Sequence, residues 1–219
     1  MVQRVHASLL AAAEKRLLVQ LAAATPRAIS PDHLTALGLL GAAVTFAAYL
    51  LSHGDPDFLW LASLGLVVHW LGDSLDGTLA RVRGAERPKL GFLLDQCTDV
   101  VGDILILAGL GLSPYARLDT ALLALIGYHA LGIHALVRNA VLGEHRISAN
   151  LIGPTELRLV LVAINAVLWA KGAAPGFLGF AALTWCDGVL LAAFAGFMAA
   201  FVVLVAADVR ALRAERRDN

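Results

Sequence analysis

The chain has 219 residues, 59% of them hydrophobic and 16% charged, whereas ordinary soluble domains carry about 25% charged residues; composition therefore excludes a typical soluble globule and points to the membrane. Its 17 Lys and Arg match 17 Asp and Glu, so no basic excess marks a nucleic-acid partner. The two cysteines, Cys97 and Cys186, lie in or beside apolar stretches without the spacing of a disulfide scaffold or a zinc site.

At the start, Val5, Leu9, Ala12, Ala13, Leu17, Leu18 and Leu21 fall near one helical face, with Arg4, Glu14, Lys15 and Arg16 elsewhere. This pattern predicts an amphipathic interfacial helix within residues 1–30, and its scattered charges argue against a cleaved signal peptide. Pro26 and Pro31 punctuate the chain before six apolar runs, at 34–52, 58–80, 90–112, 118–141, 155–171 and 178–206. Each is near the roughly 20 residues a helix needs to cross a bilayer. The expected fold is all-α integral membrane: one domain over 1–219, with a six-helix bundle at 31–206 and a solvated tail at 207–219. Trp60, Trp70 and Trp185 suit membrane interfaces.

Cytoplasmic flanks of membrane proteins are enriched in Lys and Arg. The N-terminal segment holds Arg4, Lys15, Arg16 and Arg27, the 81–89 loop Arg81, Arg83, Arg87 and Lys89, the 138–158 region Arg138, Arg146 and Arg158, and the tail Arg210, Arg213, Arg216 and Arg217. That is 15 of the 17, leaving Arg117 and Lys171 on the other side. Both termini and the second and fourth loops are therefore expected in the cytoplasm, as for a multi-pass protein of the inner, cytoplasmic membrane.

Ionisable residues at membrane depth are costly and usually face a cavity, a partner or an ion. Here they cluster: the second run ends in Asp73 and Asp76 and the third begins with Asp95 and Asp99. Spacings of three and four put each pair on one face of its helix. Four confined carboxylates repel unless a cation neutralises them, and an all-oxygen set suits magnesium, manganese or calcium. Gly77 sits mid-helix at a cost of about 1 kcal/mol relative to Ala, which makes sense where another group must approach the backbone. Ala80 and Gly91 are also small, and Arg81 carries the planar fork suited to phosphate oxygens. Together they suggest a nucleotide diphosphate.

The run Asp73-Ser-Leu-Asp76-Gly77-Thr-Leu-Ala80-Arg81, followed by Gly91, Asp95 and Asp99, resembles the signature of the CDP-alcohol phosphotransferase family, with all eight positions filled. The resemblance implies that a phospho-alcohol moves from a CDP-alcohol donor to an alcohol acceptor with release of CMP, one partner being a membrane lipid. It implies that Asp73, Asp76 and Asp95 bind one or two Mg2+ or Mn2+ ions and that Asp99 holds metal or serves as general base. Gly77, Ala80, Arg81 and Gly91 would meet the CDP moiety, and the protein would be a homodimer. Upstream, Ser30-Pro31-Asp32-His33-Leu34-Thr35 resembles the family's Pro-Asn-x-Leu-Thr segment, with Asp32 in place of Asn; Asp also suits a helix N-cap.

Acceptor choice stays open. Arg138, Arg146 and Arg158 could bind a phosphate-bearing acceptor, whereas the pair Thr155-Glu156 resembles the choline and ethanolamine branch, where a carboxylate faces an ammonium group. CDP-diacylglycerol as donor in phospholipid synthesis is the first expectation. A CDP-aminoalcohol phosphotransferase is the second, and a divalent-cation transporter is the alternative from another class. His69, His129 and His134 read as polar packing, and Asp103 as a cavity wall or helix-polar contact.

Overall fold

In the computed structural model, which describes residues 11–142, 153–177 and 180–218, seven helices and one short hairpin follow in the order α1 (Ala11–Ala24), α2 (Pro31–Leu51), α3 (Phe58–Val82), α4 (Pro88–Gly111), α5 (Leu118–Leu142), α6 (Pro154–Lys171), β1 (Pro175–Phe177), β2 (Phe180–Thr184) and α7 (Trp185–Asp218). Residues 1–10 of the expected interfacial helix lie outside the described residues. Local chemistry explains the starts. Ser30 Oγ accepts the His33 N–H at 3.3 Å and His33 Nδ1 accepts the Ser30 N–H at 3.2 Å, a reciprocal cap followed by Pro31, whose missing N–H is harmless at that position. Ser30, not Asp32, is thus the cap.

Two expectations fail at the C-terminal end. The last run was placed from 178, but 180–184 form a strand antiparallel to β1, pairing Pro175 with Thr184 and Phe177 with Phe180. The helix starts only at Trp185 because Thr184 and Asp187 close a cap: Asp187 Oδ2 accepts the Thr184 N–H at 2.8 Å, and Thr184 Oγ1 accepts the Asp187 N–H at 3.1 Å. At its other end α7 runs on to Asp218. Residues 207–218 therefore continue the helix past the expected boundary at 206, as the helix formers in RALRAERR favour.

Four helices, α2, α3, α5 and most of α7, are long and apolar enough to cross a membrane. The other two members of the expected six fall short because of charge. Any 18-residue stretch of α4 contains Asp95, Asp99 and Asp103, and the 18 residues of α6 include Glu156, Arg158 and Lys171.

Small residues set the packing. A Cβ on Gly72 of α3 would lie 2.5 Å from the Leu34 carbonyl oxygen of α2 and closer still to the Gly38 nitrogen; one on Gly41 would lie 2.7 Å from the Gly65 carbonyl oxygen. The α2 and α3 backbones are thus in direct contact, as small residues permit between membrane helices. α2 also packs along α4, while α3 and α4 touch each other little, so α2 is the spacer between the two acidic helices. α6 lies on α3, and α5 lies on α7.

Buried polar staples hold the half away from the acidic residues. Tyr49 donates to Asn165 Oδ1 at 2.9 Å, and Asn165 Nδ2 donates to Ser63 Oγ at 3.1 Å, joining α2, α6 and α3. Fully buried Asp187 accepts the Arg117 N–H at 2.8 Å and the Thr120 hydroxyl at 2.6 Å, locking α7 to the start of α5. Each bond satisfies a group that would be expensive to leave unpaired in an apolar interior.

Gly72→Ala must push α2 from α3, and overpacking of this kind costs about 1–3 kcal/mol. It should lower Tm in detergent by about 5 °C or more, while Gly196→Ala, which meets nothing within 4 Å, leaves Tm the same or higher. Equal Tm values for the two variants would contradict the backbone contact.

Candidate active site

Asp73 and Asp76 lie near the end of α3, and Asp95 and Asp99 in the first half of α4. One carboxylate oxygen from each of Asp73, Asp95 and Asp99 lies within 4.8 Å of the other two, and all three residues are half-buried. Oxygens on a single magnesium ion are at most about 4.2 Å apart, twice a metal–oxygen distance of about 2.1 Å. Three oxygens spaced equally around such an ion are at most about 3.6 Å apart, so the group needs to close by roughly 1.2 Å or less in an equal arrangement to grip it. Three hard anionic donors with no sulfur among them suit Mg2+ or Mn2+, so these residues fit the metal that the motif implies.

Asp76, the fourth expected ligand, is placed differently. Its carboxylate is buried, accepting the Thr35 hydroxyl at 2.5 Å and the Gly77 N–H at 2.5 Å. It lines the same small cavity as Asp73, Asp99 and Thr35 but stands outside the three-oxygen group, turned towards α2. The sequence signal for Thr35 lay in the Pro31–Thr35 segment, to which no role had been attached.

Arg158 of α6 enters this cluster. Its Nη2 donates to Asp73 Oδ2 at 2.7 Å and lies 3.2 Å from His69 Nε2. The His69 ring is fixed by Nδ1 against the Gly38 carbonyl at 3.0 Å, so Nδ1 carries the proton and Nε2 offers its lone pair to the arginine. Gly102 of α4 makes room for that ring, since a Cβ there would lie 2.7 Å from His69 Cε1. His69 thus packs between α2, α4 and α6 while its Nε2 borders the Arg158–Asp73 pair. Asp103 lines a larger cavity with Arg158 and stands 4.0 Å from His129 Nε2; that nitrogen is buried without a hydrogen-bond partner among the described residues.

Of the positions expected to meet CDP, Gly77 and Gly91 both face open space. A Cβ on Gly91 would meet nothing within 4 Å, and one on Gly77 only the Arg81 guanidinium, at 3.5 Å. Arg81 Nη2 donates to Thr78 Oγ1 at 3.0 Å, which keeps its guanidinium beside Gly77. Ala80 is half-buried on the same stretch of α3.

The expected acceptor residues separate. Arg158 is at the cluster. Arg138 is elsewhere, its Nε 3.1 Å from Asp208 Oδ1 of α7, whose other oxygen is 2.9 Å from His134 Nε2. Glu156 Oε2 accepts the Gly153 N–H at 2.9 Å, capping α6. Arg146 lies outside the described residues. Asp32, which replaces the family's Asn, is held by both guanidinium nitrogens of Arg87.

The family model for CDP-alcohol phosphatidyltransferases matches residues 28–206. No curated protein matches the chain.

Manganese titration followed by electron paramagnetic resonance should detect binding to the protein. Asp95→Asn, which removes one of three anionic donors, should weaken it at least about tenfold, whereas Asp119→Asn, on an exposed ion pair with Arg117, should not. Equal affinity in both variants would remove the carboxylate group as the site.

Proposed function

Because the chain belongs to the CDP-alcohol phosphatidyltransferase family, whose members are transferases that move a phospho-alcohol from a CDP-alcohol in phospholipid synthesis, we propose that its donor is CDP-diacylglycerol and its acceptor a small phosphate-bearing alcohol. The observation that carries this reading is the trio Asp73, Asp95 and Asp99 with oxygens within 4.8 Å of one another. A transporter reading accounts for the carboxylates but gives no role to Gly77, Ala80, Arg81 and Gly91 at the family's spacing.

In this reading Asp73, Asp95 and Asp99 hold Mg2+ or Mn2+, with Asp76 beside them buttressing the cluster through Thr35. When bound, the metal neutralises the pyrophosphate and stabilises charge developing on the leaving CMP. Gly77 and Gly91 give the cytidine diphosphate access to the backbone, and Arg81 pairs with its phosphate oxygens. The acceptor hydroxyl attacks the lipid-side phosphorus and passes its proton to a carboxylate, for which Asp99 is the candidate. The bond from that phosphorus to the bridging oxygen breaks, and CMP leaves with the oxygen.

Arg158 favours a phosphate-bearing acceptor over an aminoalcohol. Its guanidinium is at the cluster, whereas Thr155 and Glu156 bond within the fold, to Glu14 at 2.8 Å and to Gly153 at 2.9 Å. A cavity of about 120 Å3 between α4, α5, α6 and α7 begins at Asp103 and Arg158 and continues along Ile106, Leu161 and Phe197. Its apolar length suits an acyl chain. We further propose that α4 and α6 cross the membrane with the other four, since Arg158 meets Asp73 inside the bundle and a paired charge costs less there. The excess of Lys and Arg at this end supports a cytoplasmic active site.

Purified protein given CDP-diacylglycerol and a panel of glycerol 3-phosphate, inositol 1-phosphate, inositol, serine and choline should release CMP only with divalent metal. The product mass names the acceptor. Asp99→Asn should lower the rate about 10²- to 10⁴-fold, the usual worth of a general base. CMP release that survives chelation, or an Asp99→Asn variant as fast as wild type, would refute the assignment.

A further inference from the structure

Helix α1 packs against α3 by burying Leu18 and Ala22 beside Leu75 and Leu79. On an interfacial helix a carboxylate ordinarily turns to water, yet Glu14 Oε1 accepts two hydrogen bonds from the bundle. Trp70 Nε1 of α3 donates at 2.7 Å, and the Thr155 hydroxyl of α6 donates at 2.8 Å. Both donors adjoin the site. Trp70 follows His69 in α3, and Thr155 precedes Arg158 by three positions, on the same face of α6.

Among the described residues, the next side-chain anchor along α6 is Asn165, held by Tyr49 and Ser63. It lies seven positions beyond Arg158, about 10 Å along the axis. The Glu14 bonds add to the Arg158 contacts at the start of α6, and those Arg158 contacts are ones that a substrate phosphate would compete for. We infer that Glu14 is a positioning residue: through Thr155 and Trp70 it clamps the first turn of α6 to α3 and thereby sets Arg158 between His69 and Asp73. The interfacial helix is then part of the active-site scaffold as well as a membrane contact.

The role of Arg158 towards an anionic substrate rests on the function proposed above, but the clamp itself does not, and two measurements separate them. In hydrogen-exchange mass spectrometry, Glu14→Leu and Thr155→Val should each speed exchange across residues 154–165 by about tenfold, the worth of a hydrogen bond to a charged group, with residues 185–200 unchanged. Glu14→Gln keeps an accepting oxygen without the charge and should lie closer to wild type than to Glu14→Leu. In kinetics with CDP-diacylglycerol and the acceptor that wild type turns over best, Glu14→Leu and Thr155→Val should each raise the acceptor KM about threefold to tenfold with kcat within about twofold, and the double variant no more than either single. A purely structural role would lower Tm without moving KM. Unchanged exchange over 154–165, additive KM effects, or a Glu14→Gln variant as impaired as Glu14→Leu would each overturn the clamp. If wild type released no CMP, the functional reading would fail while the exchange measurement still decided the clamp.

Discussion

Three carboxylates on two helices have to be held within a few ångströms of one another in a largely apolar bundle. Like charges at that distance repel strongly where the dielectric is low, so α3 and α4 would separate if they were joined by their own loop and nothing else. They hardly touch each other. What holds them at a fixed distance is α2, which lies against both, and the compensation comes from Arg158 on α6. The acidic site is therefore a product of four helices, although its motif occupies only two.

The glycines of α2 and α3 are the mechanical part of this arrangement. Contact of backbone on backbone at Gly38, Gly41, Gly65 and Gly72 leaves no slack between the helices. With Gly38 that close, its carbonyl reaches His69, and His69 in turn faces Arg158. Thr35, one turn earlier on α2, reaches Asp76 by the same proximity. Small residues on α2 thus control where the site's polar atoms lie, and the loop side is tied down as well: Arg83 donates to the Thr25, Pro26 and Ile29 carbonyls, fixing the end of α3 to the α1–α2 connection.

Much of this was legible from residue order. Long apolar runs bounded by Pro and polar residues located α2 to α6 within three residues at each end, because helix formation over some twenty residues is a local matter. The stretch 180–184 was misread, since a short apolar run does not by itself distinguish strand from helix. The end of α7 lies beyond the apolar run, because the helix formers that follow carry the helix into polar sequence. Spacings of three and four marked the carboxylate faces, but they could not show that Asp76 turns to Thr35, a contact across 41 positions, or that Arg158 reaches Asp73 across 85. Arg138 was grouped with Arg158 on charge alone, and its partner Asp208 lies on a helix 70 positions later. Pairings of that kind depend on which helices become neighbours, and nothing in a local pattern encodes it.

The central claim is that a metal held by Asp73, Asp95 and Asp99 meets the pyrophosphate of a cytidine diphospho-lipid. Electron–nuclear double resonance on the manganese-loaded protein tests it directly, because phosphorus bound through oxygen to the metal gives a measurable 31P coupling. The account predicts that this coupling appears when CDP-diacylglycerol is added and is lost in Asp95→Asn. Manganese bound at the carboxylates with no 31P coupling at saturating CDP-diacylglycerol would contradict it.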